Sequence, residues 1–313
     1  MFMAIPIFLF HRISPVEISW CPGMHPVFFE KVIKYLTKRF QIVSTEHDFE
    51  QEKSKMPGSK PFACITFDDG FKDNIEYAAP ILRKYNCPAS FYVVTDSIDN
   101  NTPTWIHLYN QAFDETGLSR LEIKSDYIIE KSLDISLPSR EARIDFGKTF
   151  FERIKKIPHQ EHQLILQQIQ KSFQDVKPLN NLMLTWSDIN ELKSAGFGIG
   201  SHTKTHPYLS FQESDSFILD EFSESASRIH AMTGSRPQTI AYPAGDFDDR
   251  IKQLARQAGY QFGLAVTQKR YNLGQHDVMQ IPRVDLYADA GWPKTVLRIH
   301  GILQEIKNLI PGR

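Results

Sequence analysis

Three short polar clusters in the 313-residue sequence carry side chains suited to hydrolysis: Asp68-Asp69-Gly70, His202-Thr203-Lys204-Thr205-His206-Pro207 and Tyr242-Pro243-Ala244-Gly245-Asp246. Two histidines four residues apart can share one metal ion. A carboxylate from elsewhere completes a two-histidine, one-carboxylate set that leaves positions open for water and substrate. The aspartate pair offers that carboxylate and a second one free to act as a base. Each feature also has an ordinary reading. Adjacent aspartates before a glycine are frequent in turns, where the carboxylate accepts backbone N–H bonds and the glycine supplies positive φ. A histidine pair at this spacing arises by chance on exposed helices, but Pro207 disfavours helix at His206 and sets the pair in a loop.

The clusters need a frame, and each follows directly on an apolar run that reads as a strand: 62–67, 197–201 and 239–242. Further strands are expected at 5–10, 41–45, 89–94, 261–266 and 279–283, and helices at 26–40, 74–85, 214–233, 248–259 and 293–309. Thr185 and Asp188 have the spacing of an N-cap and its N3 partner, opening a helix that ends near Gly196. Strand-helix alternation implies parallel pairing with helical crossovers. Seven or eight strands suit one α/β barrel, and in such folds the strand C-terminal ends converge on one face and build the site there. Between about 97 and 184 the pattern changes to long polar helical stretches. In the Gln-rich run 160–174, Leu164, Ile165, Ile169 and Phe173 recur at helical spacing. The expectation is one barrel domain over 1–313 carrying a helical insertion, with 46–60 as a surface loop.

Hydrophobic residues make up 41% of the chain, enough for a sizeable core, so global disorder is excluded. Lys and Arg number 36 against 37 Asp and Glu, a net charge of −1 that lacks the electrostatic footprint of a nucleic-acid binder. Cys21, Cys64 and Cys87 are too few and too scattered for a disulfide framework. The apolar opening 1–10 has no basic n-region or cleavage site and runs into His11 and Arg12, so it reads as a strand and the protein as cytoplasmic. No apolar run reaches membrane-spanning length, and nothing in the sequence fixes an oligomeric state.

Thr66-Phe67-Asp68-Asp69-Gly70 and Ser201-His202-Thr203-Lys204-Thr205-His206 resemble the first two motifs of the polysaccharide deacetylase family, also called NodB-like or carbohydrate esterase family 4. Ala241-Tyr242-Pro243-Ala244-Gly245 resembles the third motif as found in the poly-N-acetylglucosamine deacetylase branch, and Phe8-Leu9-Phe10-His11-Arg12-Ile13 is similar to that branch's opening, with Phe10 in place of Tyr. The resemblance implies a distorted (β/α) barrel of about seven parallel strands and metal-assisted removal of an N-acetyl group from an amino sugar in a saccharide or its precursor. By position, Asp69, His202 and His206 would hold the divalent metal, usually zinc, and Asp68 would be the base that takes a proton from the attacking water. The backbone N–H of Ala244 would face the developing oxyanion.

Two departures from the family pattern matter. No late Leu-x-His motif is present; His276 sits in a polar loop and His300 in a helical pattern, so the permuted branch assigns the general acid to His11, whose ordinary reading is a buried histidine bonded to a carbonyl. Ala241 stands where the third motif usually has arginine. Arg283, in Ile281-Pro282-Arg283-Val284-Asp285, is then the candidate to orient Asp68, or else a surface partner of Asp285. Tyr242 and Trp105 are candidates for contact with the sugar, although Trp105 and Tyr109 could equally pin the insertion to the barrel. His107, His159, His162 and His230 read as solvated. Rival functions are hydrolysis of a cyclic or other non-sugar amide, an inactive saccharide-binding module, and an iron-dependent oxygenase with the same ligand types, for which the second aspartate has no use.

Overall fold

A computed structural model describes residues 4–45, 60–128, 132–177, 179–212, 214–272, 274–275, 277–287 and 291–303. Seven strands form a closed ring: β1 (Ile7–Phe10), β2 (Phe62–Phe67), β3 (Ser90–Val93), β4 (Gly198–Ser201), β5 (Thr239–Ala241), β6 (Phe262–Val266) and β7 (Ile281–Asp285). Neighbours in sequence are neighbours in space, every pairing is parallel, and β7 pairs with β1 to close the barrel. Strands covered on both faces read as nearly unbroken apolar runs, which is why they were legible; all six residues of β2 are buried. Gln41–Ile42 adds an eighth strand outside the ring, on β2, and Ala4–Ile5 pairs antiparallel with Tyr271–Asn272.

Alternation along the strands decides what points where. Ile7, Cys64, Tyr92, Ala241, Leu264 and Ile281 meet in the barrel interior, while Phe8, Phe10, Ile65, Phe67, Phe91 and Val284 face the helical layer. On that outer side Phe10, Phe67 and Phe91, register partners on adjacent strands, stack at 5.5 and 4.8 Å. Gly200 is required by the inner side: a Cβ there would lie 2.3 Å from the Tyr92 ring.

Helices start and stop where the sequence says. Thr185 and Asp188 form the reciprocal capping box of Trp186–Ser194, Ser214 caps Asp215–Thr233 and Gly234 ends it at φ +73, and Asp248 caps Asp249–Gln257. Three local expectations change. The helix at 74–85 opens with a π-helical turn, Asn74–Ala78, before the α-helical Ala79–Lys84. The last strand runs over Ile281–Asp285, two residues later than expected, so that Arg283 is at its centre. The crossover between β3 and β4 is not purely helical: Arg120–Lys124 and Ser132–Ser136 make an antiparallel hairpin, which joins the helices Trp105–Glu115, Arg140–Ile154 and His159–Ser172 around a separate apolar core that includes Phe113, Phe150, Ile165 and Phe173. The expected loop 46–60, apart from Lys60, lies outside the described residues, as do His276 and the end of the C-terminal helix, of which Gly291–Ile299 is described.

Candidate metal and catalytic site

Asp68 continues the inward parity of Cys64 and Thr66 past the end of β2, and Arg283 continues that of Ile281 on β7. Inside the barrel the two meet as a bidentate pair: Nη1 donates to Oδ1 at 2.7 Å and Nη2 to Oδ2 at 2.6 Å, both residues being almost fully buried. Arg283 is thus the buried partner of Asp68 and not a surface partner of Asp285. Burial raises the Asp68 pKa, but the guanidinium, with His202 and His11, outweighs it and holds the carboxyl below the usual range.

Two consecutive side chains cannot both face inward on a regular strand. Asp69 breaks the alternation with a left-handed backbone, φ +72, followed by Gly70 at φ +80. The second motif does the same with Thr203 at φ +67 and His206 at φ +62. Such conformations cost on the order of 1–3 kcal/mol each and persist only where surroundings over-determine them. Here Thr203 Oγ1 accepts from the His206 N–H at 3.0 Å. The buried carboxylate of Glu221 accepts from the backbone N–H groups of Lys204 and Thr205 and from the Thr205 hydroxyl.

The result is a three-residue group, Asp69, His202 and His206, whose ligand atoms all lie within 4.8 Å of one another. Each histidine Nε2 is 3.6 Å from Asp69 Oδ1. That is too long for a hydrogen bond and close to the roughly 3.3 Å that separates ligand atoms on a tetrahedral ion with bonds of about 2.0–2.2 Å. His202 Nδ1 donates to the Ala241 carbonyl at 2.7 Å, leaving the Nε2 lone pair toward Asp69. His206 Nδ1 is buried and has no hydrogen-bond partner among the described residues. These donors fit a divalent cation bound by nitrogen and oxygen.

His11 follows β1 with the inward parity of Ile7, and Asn74 Nδ2 donates to its carbonyl at 2.8 Å. The adjoining Arg12 is fixed by Asp73 at 2.8 Å and by the Cys21 carbonyl at 2.7 Å. His11 lines a cavity of about 520 Å³ together with Asp285, Trp20, Phe71, Tyr287 and His107. It interacts with Asp68, Asp69 and Asp285; burial pushes the Asp285 pKa up and His11 opposes that rise.

Other sequence candidates are placed differently. The Tyr242 ring is fully buried on the outer face, because the alternation that turns Ala241 inward turns Tyr242 toward the helices, and its hydroxyl donates to the Met279 carbonyl at 2.9 Å. It is not available to a sugar. Trp105 is 4% exposed, stacked on Phe151 with its indole N–H donating to the His206 carbonyl at 2.8 Å, so it pins the insertion and forms no open wall. Ala244 is exposed, with φ +54 in a short 3-10 turn after β5. His159 and His162 are buried rather than solvated, whereas His230 is exposed. His107, also read as solvated, lies with Nε2 3.9 Å from Asp69 Oδ2. Neither it nor Glu221 was found from sequence; His107 lies in the first turn of Trp105–Glu115, the second helix beyond the strand Ser90–Val93, where no motif marks it.

Comparison with solved structures gives the same architecture. The Streptococcus pyogenes deacetylase PplD, solved in complex with acetate, superposes with a TM-score of 0.63 at 17% identity, covering 95% of this chain and 98% of that one. IcaB from Ammonifex degensii gives a TM-score of 0.59 at 15% identity over 95% and 97%, and a de-N-acetylase from Aggregatibacter actinomycetemcomitans 0.56 at 16% over 94% and 99%. In sequence, a putative polysaccharide deacetylase of Bacillus subtilis (strain 168), YxkH, is 28% identical over 139 residues, which span 44% of this chain and about half, 47%, of that relative. A family model described as polysaccharide deacetylase matches residues 55–263, more than half of the chain and inclusive of the Asp68-Asp69 and His202–His206 motifs, and by that match the chain belongs to the polysaccharide deacetylase family.

Proposed function

We propose that the protein is a metal-dependent N-deacetylase acting on an N-acetylated amino sugar within a saccharide or saccharide precursor. The observation that carries this reading is the juxtaposition of the Asp69, His202 and His206 group with the Asp68–Arg283 pair on one flank and His11 on the cavity wall. A divalent ion held by those three residues, zinc by the family's habit, would supply Lewis acidity to the amide carbonyl and to water. Asp68, kept ionised by Arg283, accepts the proton of the attacking water. The Ala244 N–H, on an exposed turn at the end of β5, donates to the oxygen that gains charge as the carbonyl becomes tetrahedral, a contribution typically of about 2.7–4 kcal/mol. His11, beside Asp285, gives a proton to the amine as the C–N bond breaks, leaving acetate and a free amino sugar. A cytoplasmic location belongs to the same proposal; the buried, unbridged thiols Cys21, Cys64 and Cys87 accord with a reducing compartment.

Acetate release from N-acetylglucosamine oligosaccharides, with zinc, cobalt or nickel added to metal-free protein, tests the reading. His11→Ala should keep its metal and lose turnover, and Asp68→Asn should do likewise. Cyclic amides tried in parallel and an oxygen electrode separate the rival chemistries. Metal-loaded protein that binds glycan but releases no acetate from any N-acetyl sugar would make it a binding module.

A further inference from the structure

Asp69 and His206, two of the three candidate metal ligands, stand in left-handed backbone, and their support does not come from the barrel alone. The His206 N–H is satisfied within its own motif by Thr203. Its carbonyl is taken by the Trp105 indole N–H at 2.8 Å, and Trp105 belongs to the first turn of the insertion helix Trp105–Glu115. Packing fixes that indole, with Phe151 stacked at 5.5 Å and the His162 ring edge-on at 3.8 Å. The same turn supplies His107. Its Nδ1 lies 2.8 Å from Thr104 Oγ1 and its ring meets Phe71 edge-on at 5.1 Å. So held, it directs Nε2 toward Asp69 Oδ2, 3.9 Å away, while Oδ1 of the same carboxylate faces both histidine ligands. At 3.9 Å this is too long for a direct hydrogen bond and leaves room for contact through a bridging water.

We propose that the helix Trp105–Glu115 is a brace for the metal centre: His107 positions Asp69 through the oxygen that does not face the histidines, and Trp105 positions His206 through its carbonyl. The inference rests on the metal-site reading above and extends it, making the affinity of the site a property of the insertion as well as of the barrel. Carboxylate ligands held from the far side keep their orientation before the ion arrives, and loss of such supporting contacts typically weakens metal binding about ten- to a hundredfold.

The test uses metal-free full-length protein titrated with Zn²⁺ against a chelator, and with Co²⁺ followed by its visible absorption. His107→Phe keeps the ring contact with Phe71 and removes Nε2; Trp105→Phe keeps the stacking and removes the N–H. Both should bind about tenfold or more weakly, with an altered cobalt spectrum and a loss of affinity that does not track the change in apo-protein melting temperature, and His107→Gln should recover part of the affinity. Wild-type affinity in both phenylalanine variants would overturn the brace, as would a loss that tracks a lowered apo melting temperature and that glutamine does not restore. His206→Ala separates the two levels: if it too binds as tightly as wild type, the metal site itself is wrong, whereas if it alone loses the ion, only the brace fails.

Discussion

Asp68 is a carboxylate that burial alone would neutralise and that Arg283 keeps ionised. Removing one member of such a pair strands the other without water, a loss typically of about 3–5 kcal/mol. Arg283→Met should therefore lower unfolding stability by about that amount in a urea titration and abolish turnover, and Asp68→Asn, which leaves the buried guanidinium without its counter-charge, should abolish turnover at a comparable cost in stability. The pair also fixes a sign: the folded pKa of Asp68 lies below its unfolded value near 4, so its stabilisation is present above that value and is lost as pH falls through the folded pKa. His206→Ala should empty the metal site, by elemental analysis of the purified variant, with little change in the melting transition. The pair was open to reading from sequence, since Ile281 and Arg283 share a parity and Cys64, Thr66 and Asp68 share another. His107 was not, and Trp105 stayed between sugar wall and pin, because what a ring does depends on which tertiary surface it meets; Tyr242 was open to the same parity argument, one residue past the inward Ala241.

The barrel strands impose a requirement on Gly200 that its neighbours do not share. A methyl group at that position meets the Tyr92 ring at 2.3 Å and Thr239 Oγ1 at 2.9 Å. Gly200→Ala should cost about 1–3 kcal/mol in guanidinium denaturation, and it should reduce turnover as well, because Tyr92 packs 5.7 Å beneath the Arg283 guanidinium. Elements of this kind were legible in order and type: strands buried on both faces, the capping pair at Thr185 and Asp188, a helix stop near Gly196. The hairpin in the insertion was not, because only Leu121, Ile123 and Leu133 are buried in it while charged residues and serines fill the alternate positions. Such a short half-buried pattern is easily absorbed into the surrounding helical periodicity.

Insertion and barrel meet over a pair of histidines that the sequence reading assigned to solvent. His159 donates its backbone N–H to Gln212 and packs on Phe217, and His162 packs against Trp105. Burial lowers their pKa values to about 4 and about 3. In the unfolded chain both would titrate near 6.5, so below that pH the unfolded state binds more protons and is favoured. Stability from this junction is complete above about pH 6.5 and declines as pH falls toward about 4. Melting temperatures measured across that interval should drop in the wild type and drop less in His162→Leu; parallel curves would remove the junction as the cause.

The ring is closed by its first and last staves, Ile7–Phe10 against Ile281–Asp285. On the ribosome, then, a nascent chain can carry both aspartates, both ligand histidines and the whole insertion while its hydrolytic centre is still unassembled. The guanidinium that keeps Asp68 ionised is delivered by the final stave. Until Ile281–Asp285 has been made the sheet stays open and sticky-edged, and the Asp68–Arg283 pair forms in the same event that seals it.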